Sequence, residues 1–180
     1  HRLISSNFYK RDNTQQSLAP SMDISVASNF ERLLYDIFNE NKDAVNKLMT
    51  NFPENQIDLN KNHDGQSWKL IKDFFTSSSS NDQEIISTIV GSYEDSGIIF
   101  DPHTATAING NKKSKLPISN VVSFATAHPG KFPDAIESHI KDFDSHRPEQ
   151  LVKIMKKKES YDILDKNYIS LKEFIKSKYN

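Results

Sequence analysis

The stretch Val121–Glu137, VVSFATAHPGKFPDAIE, decides how the rest of the chain is read. It overlaps an apolar, β-branched run, Ile118 to Phe124, bounded upstream by Pro117. A short run of that kind is how a buried strand of an α/β sheet reads. Ala125-Thr126-Ala127-His128 then leads into Pro129-Gly130, residues that stop a strand and redirect the backbone. From Lys131 onward, Phe132, Ala135, Ile136 and Ile140 fall at helical spacing, so a helix is expected after the turn. In open α/β sheets, ligands bind outside the carboxyl ends of the strands, where such turns lie. Most strand–turn–helix units carry no chemistry, so position alone makes this turn a candidate and no more.

Just upstream, Gly97 to Phe100 reads as a strand or the start of one, delivering Asp101-Pro102-His103 to a helix with Thr104, Ala105, Ala107 and Ile108. Asp101 can cap that helix and Pro102 suits its first position. Asn109 to Ser114 is polar and basic and reads as a surface connection. Before it, Ile85, Ile86, Ile89, Val90 and Tyr93 mark a helix. Ser80/Gln83 or Asn81/Glu84 can form its capping box, and Gly97 its C-terminal cap. The run Thr76–Ser80 looks like low complexity but is too short for a linker. Trp68, Leu70, Ile71, Phe74 and Phe75 make a further amphipathic helix; another runs from Lys42 through Val45, Leu48 and Met49 to Phe52, before Pro53. Between these two, 55–65 is polar. Asp58, Asn60, Asn62 and Asp64 resemble a calcium loop, but Lys69 stands where its bidentate glutamate is required, so a solvated loop is the better reading.

The first clear helix carries Phe30, Leu33, Leu34, Ile37 and Phe38 on one stripe, with Ser28 and Glu31 spaced as a capping box. Asn29 and Arg32 fall in its first turn, where free amides favour an anion and a guanidinium can clamp one bidentately. The plainer alternative for Arg32 is a surface pair with Asp36. Downstream of the quoted stretch, Pro148 opens a helix through Leu151, Ile154 and Met155 that ends in three lysines. Ser170/Glu173 caps a last helix through Leu171, Phe174 and Ile175.

The 180 residues suffice for one domain or for part of a larger one. A net charge of −1, with both signs interspersed, gives no reason to expect nucleic acid or an anionic membrane as partner. No apolar run approaches the roughly 18 residues of a membrane span, and HRLISSNFYKRD lacks the apolar centre of a signal peptide. Cysteine is absent, which excludes disulfides and thiolate metal sites and fits a cytoplasmic location. The five glycines form no cluster whose amides could close around a phosphate.

SMDISVASNFERLL at Ser21–Leu34, DPHTATA at Asp101–Ala107 and ATAHPGKF at Ala125–Phe132 occur in the order and spacing of one family. With them the chain resembles, over nearly all its length, the C-terminal part of the threonine synthase family, in its bacterial and fungal branch. The resemblance implies an α/β, helix-rich C-terminal portion of a fold type II (tryptophan synthase β-like) enzyme dependent on pyridoxal 5'-phosphate (PLP). It implies conversion of O-phospho-L-homoserine and water to L-threonine and phosphate. Thr126 matches the hydroxyl residue that meets the pyridine nitrogen, and Asp101 and His103 are expected to border the ring. Arg32, with Asn29 second, matches residues that approach the substrate phosphate. His128 is expected to steady its turn through backbone hydrogen bonds. Lys131 does not match the Schiff-base lysine, which in the family precedes this region, as does the glycine-rich loop. Residues 1–180 are therefore expected to form an incomplete PLP domain whose partner is the N-terminal part of the same protein, and to be inactive alone. No metal is implied. Two other readings remain: a non-enzymatic binding or regulatory module derived from such an enzyme, and a small hydrolase using His103 or His128. The latter lacks a G-x-S-x-G elbow.

Overall fold

The computed structural model describes residues 1–50, 57–58, 66–114, 117 and 120–179. The chain divides into two units, His1–His146 and Arg147–Asn180.

In the first unit the described elements are α1 (Arg2–Ser6), β1 (Phe8–Tyr9), α2 (Phe30–Ile37), α3 (Lys42–Thr50), β2 (Ile57–Asp58), α4 (Gln66–Phe74), α5 (Asp82–Ser96), α6 (Pro102–Ser114) and α7 (Pro133–Ile136). Short 3-10 turns occupy Pro20–Met22, Pro129–Lys131 and Phe143–His146. β1 and β2 pair antiparallel, Phe8 opposite Asp58 and Tyr9 opposite Ile57.

Two apolar clusters hold this unit. In one, Leu34 of α2 meets Val45 and Leu48 of α3, Ile71 of α4 and Tyr9, with Phe30, Ile37 and Phe38 packed around them. Of the stripe read from the sequence, Leu34 is buried and Phe30, Ile37 and Phe38 pack partly buried against the cluster, while Leu33 is not part of it. The Tyr9 ring meets Phe30 edge-on at 5.2 Å. Its hydroxyl accepts a 2.8 Å bond from the Ala27 amide. Burial raises the Tyr9 pKa above its usual value, opposed by the Ala27 backbone bond and reinforced by the Glu31 charge. A raised folded-state value means that this contribution to stability is complete below the unfolded value near 10 and is lost as pH rises through the folded one. In the second cluster Ile85 and Ile89 of α5, Ala105 of α6, Ala135 and Ile136 of α7, Ile140 and Phe143 enclose Ala19.

The start of α5 is closed by the Asn81/Glu84 box: the Glu84 amide donates to Asn81 Oδ1 and the Asn81 amide to Glu84 Oε2, each at 2.9 Å. Gly97 ends the helix with φ of 70°, and its amide reaches the Tyr93 carbonyl at 2.8 Å. A side chain in that left-handed conformation is strained, so Gly97→Ala should lower stability by about 1 kcal/mol. Urea titration of parent and variant checks this; equal midpoints would show that the cap bears no strain.

Several elements depart from the sequence reading. Residues 121–126 have no strand structure, and Val122 and Phe124 are 80% and 78% exposed. Ile118 lies outside the described residues. A strand needs a neighbour's amides and carbonyls, and the described residues pair only over β1 and β2, so apolar composition here finds no ladder to join. Ile98 to Phe100 likewise forms no strand, and Ile98 is exposed. The helix expected from Lys131 is broken into a 3-10 turn and the four-residue α7, because Pro133 lacks an amide and restricts Phe132, which adopts φ −127° and ψ 55°. Ala135, Ile136 and Ile140 are buried nonetheless. Asn109 to Ser114 is no connection but the second half of α6.

At the start of α2 the Ser28/Glu31 box does not form. The Phe30 amide bonds the Ala27 carbonyl at 3.1 Å, and Asn29 takes the cap position in a helical conformation without a side-chain cap. Apart from Asp58 and Lys69, the suggested calcium pattern lies outside the described residues.

The second unit contains α8 (Glu149–Met155) and α9 (Tyr168–Tyr179), neither with a buried residue. Pro148 sits at the cap of α8 rather than inside it. α9 begins before Ser170, because Asn167 Oδ1 accepts from the Ile169 amide at 2.7 Å and starts the helix earlier. Lys178 pairs with Asp162 at 2.9 Å. No helix among the described residues is long and apolar enough to cross a membrane.

Candidate functional site

Asp101 caps α6 as its position before Pro102 predicts, and it is 1% exposed. Oδ1 accepts from the His103 amide at 2.9 Å, and Oδ2 from the Thr104 amide at 3.4 Å and from the Thr104 hydroxyl. His103 Nδ1 lies 3.0 Å from Asp101 Oδ1, while its Nε2 receives the Ser21 amide at 3.2 Å. A backbone amide only donates, so Nε2 carries the lone pair and Nδ1 the hydrogen that goes to Asp101. Both ring nitrogens are thereby engaged, which makes His103 an orienting group with no nitrogen left to exchange a proton with a ligand. Its ring packs against Phe132 with centroids 4.8 Å apart. The Thr104 hydroxyl also accepts from the Thr126 amide at 3.2 Å.

This chain of bonds joins parts of the sequence that lie far apart. Ser21 comes from the first quoted motif, Asp101, His103 and Thr104 from the second, Thr126 and Phe132 from the third. His128 steadies the turn as expected, its Nδ1 accepting from the Gly130 amide at 3.0 Å.

Beside the network opens a cavity of about 590 Å³. His103, Thr106 and Ala107 of α6 form one wall, and Val121, Val122, Phe124 and Thr126 another. Asp101 stands behind His103 and does not line the cavity. The Thr126 hydroxyl makes no hydrogen bond to another described residue, so it is available to a ligand.

Thr76, Ser77 and Ser78 of the serine run form a third wall, whose role the sequence reading missed. Asn109 Nδ2 donates to Ser80 Oγ at 2.9 Å and Lys113 Nζ to the Ser79 carbonyl at 2.6 Å. Lys113 also pairs with Glu84 at 2.7 Å and, by that bond, holds the Glu84 carboxyl below its usual pKa. Gly110 leaves room for the Ser78 hydroxyl: a Cβ there would stand 2.6 Å from Ser78 Oγ, so the hydroxyl would have to turn away. An isolated glycine within a helical stretch was the available signal.

Arg32 and Asn29 are exposed at the start of α2 and do not line this cavity. Arg32 lines a separate hollow of about 540 Å³ with Tyr35, Lys42 and Asn46. It forms no ion pair with Asp36, so the surface-pair alternative is not realised among the described residues.

Comparison with known proteins agrees with these motifs. The family model described as "Threonine synthase, C-terminal" matches residues 104–175. Threonine synthase of Pseudomonas aeruginosa is 33% identical over 176 residues, which cover 97% of this chain and 37% of that protein. Threonine synthase of Saccharomyces cerevisiae is 31% identical over 195 residues, covering 94% of this chain and 37% of the relative. Among solved structures, PLP-bound threonine synthase from Brucella melitensis superposes with a TM-score of 0.76 at 28% identity, over 98% of this chain and 37% of that one. The chain thus spans little more than a third of the length of the relatives it matches. It is similar, over nearly all its length, to the helix-rich C-terminal part of the threonine synthases.

Proposed function

We propose that this chain works as the C-terminal part of a cytoplasmic, PLP-dependent lyase that converts O-phospho-L-homoserine and water to L-threonine and phosphate. The observation that carries the reading is the meeting of three separate motif segments, through Ser21, through Asp101, His103 and Thr104, and through Thr126, beside one cavity. The cavity's residues fit the ring end of PLP. The volume is in the range of small-molecule sites, Val122 and Phe124 offer apolar surface, and Thr126 offers an uncharged hydroxyl with no hydrogen bond to another described residue. They offer no cluster of glycine amides for the cofactor's phosphate, so that end falls to the N-terminal part of the enzyme.

When bound, PLP supplies the electron sink that the loss of protons from the substrate requires. Thr126 would hold the pyridine nitrogen of the bound cofactor with a neutral hydroxyl, which would leave the ring less cationic than a carboxylate would. His103 forms part of the wall, held by Ser21 on one side and Asp101 on the other. Asp101 acts from behind, orienting His103 and Thr104. The family motif assigns Arg32, assisted by Asn29, to the substrate phosphate; in this chain Arg32 lines a separate hollow with Glu31 and Asp36, and among the described residues its guanidinium forms no ion pair, which leaves it free to receive an anion.

In the full-length enzyme, Thr126→Val should alter the absorbance of the bound cofactor and lower turnover by about tenfold or more, since about 1.4 kcal/mol lost in the transition state suffices. Unchanged spectrum together with unchanged turnover would remove Thr126 from the site. Arg32→Ala should retain the cofactor and weaken inhibition by inorganic phosphate, a charge-assisted contact being worth about 1.5–3 kcal/mol. Equal phosphate inhibition in variant and parent returns Arg32 to the surface.

A further inference from the structure

We infer that Thr104 is the positioning residue for Thr126, holding the cavity's hydroxyl where the cofactor ring requires it; this rests on the reading of Thr126 given above. Thr104 is 1% exposed and lies outside the cavity lining, so it touches no ligand there. It acts through its hydroxyl, which has one hydrogen to give and lone pairs to receive. The Thr126 amide can only donate, so it takes a lone pair, at 3.2 Å. The hydroxyl hydrogen is then left for Asp101 Oδ2. Asp101 is itself fixed at Oδ1 by the His103 amide and ring. The direction of every bond from the Ser21 amide to the Thr126 amide is therefore determined.

What makes Thr104 decisive is how little else restrains its partner. Val121–Ala127 has neither helix nor strand structure, and Val122 and Phe124 are mostly exposed. Among the described residues, the bond from the Thr126 amide to Thr104 Oγ1 is the one hydrogen bond that ties the backbone of this segment to the rest of the first unit. The residue that donates this amide also presents the unpartnered hydroxyl to the cavity. Releasing the amide frees the hydroxyl to drift, and a displacement of about 1 Å can cost about a hundredfold in rate.

The test uses the full-length enzyme with PLP bound, in four forms: Thr104→Val, Thr104→Ser, Thr126→Val, and the double variant Thr104→Val/Thr126→Val. Thr104→Val keeps the shape and removes the hydroxyl; Thr104→Ser keeps the hydroxyl. Thr104→Val is expected to shift the cofactor absorbance in the same direction as Thr126→Val and to lower kcat by about tenfold or more. Thr104→Ser should retain the parental spectrum. The double variant should be no slower than Thr126→Val, because one residue acts through the other. The proposal is overturned if Thr104→Val leaves the spectrum parental whatever its Tm, if Thr104→Ser is as defective as Thr104→Val, or if the losses multiply in the double variant. Where Thr104→Val is insoluble, Thr104→Ala takes its place with the same expectations. If Thr126→Val itself changes neither spectrum nor turnover, the functional reading fails instead. Hydrogen exchange at the Thr126 amide then decides the contact: exchange about tenfold faster without the Thr104 hydroxyl supports positioning, and unchanged exchange overturns it.

Discussion

Residues 1–180, expressed alone and supplied with PLP, should release no phosphate from O-phospho-L-homoserine. A PLP enzyme needs a lysine to hold the cofactor, a phosphate cradle and a closed, dry site. By the family resemblance the cofactor lysine is expected upstream of this region, and the five glycines, at positions 65, 91, 97, 110 and 130, are dispersed along the chain. The site is also open: Val122 and Phe124, which would exclude water from it, are mostly exposed. Exposed lysines such as Lys131 react loosely with free PLP, so the measurement must locate the label. After incubation, borohydride reduction and digestion, scattered substoichiometric pyridoxyl-lysine is expected. One stoichiometric site together with phosphate release would show a self-sufficient enzyme. The same assay on the full-length protein separates the alternatives: labelling of one lysine there, with turnover, supports the lyase, and its absence supports a non-enzymatic module.

The largest stability effect should come from Asp101→Ala. The carboxylate receives the His103 amide, the His103 ring, the Thr104 amide and the Thr104 hydroxyl, all in a place almost without solvent. Removing it strands several buried donors at once and uncaps α6, at a cost of about 3–4 kcal/mol. Asp101→Asn keeps one accepting oxygen and the side-chain volume, so a loss of about 1–2 kcal/mol is expected. Urea unfolding of the full-length protein measures both. A loss below about 1 kcal/mol for Asp101→Ala would mean that water replaces the carboxylate and that the network does not organise the site.

The sequence by itself determined the local elements whose causes are local. The stripe of Phe30, Leu33, Leu34, Ile37 and Phe38 predicted a core-facing helix side because period 3.6 places those residues together, and all but Leu33 join the cluster. Asn81/Glu84, Gly97 and the Asp101-Pro102 pair marked helix ends because capping is a matter of a few adjacent residues. The quoted motifs also indicated which segments matter, and the solved relative carries the same fold over nearly the whole chain.

Tertiary structure decided what depends on partners remote in sequence. Val121 to Phe124 has the composition of a strand, but pairing is a property of two segments, and none of the described residues supplies the second. The serine run carries no periodicity, yet Asn109 and Lys113, about thirty residues on, hold it against α6 as a wall of the cavity. The sequence placed His103 at the site but could not say which of its nitrogens holds the hydrogen. That was fixed by the Ser21 amide, 82 residues away, because an amide can donate and cannot accept.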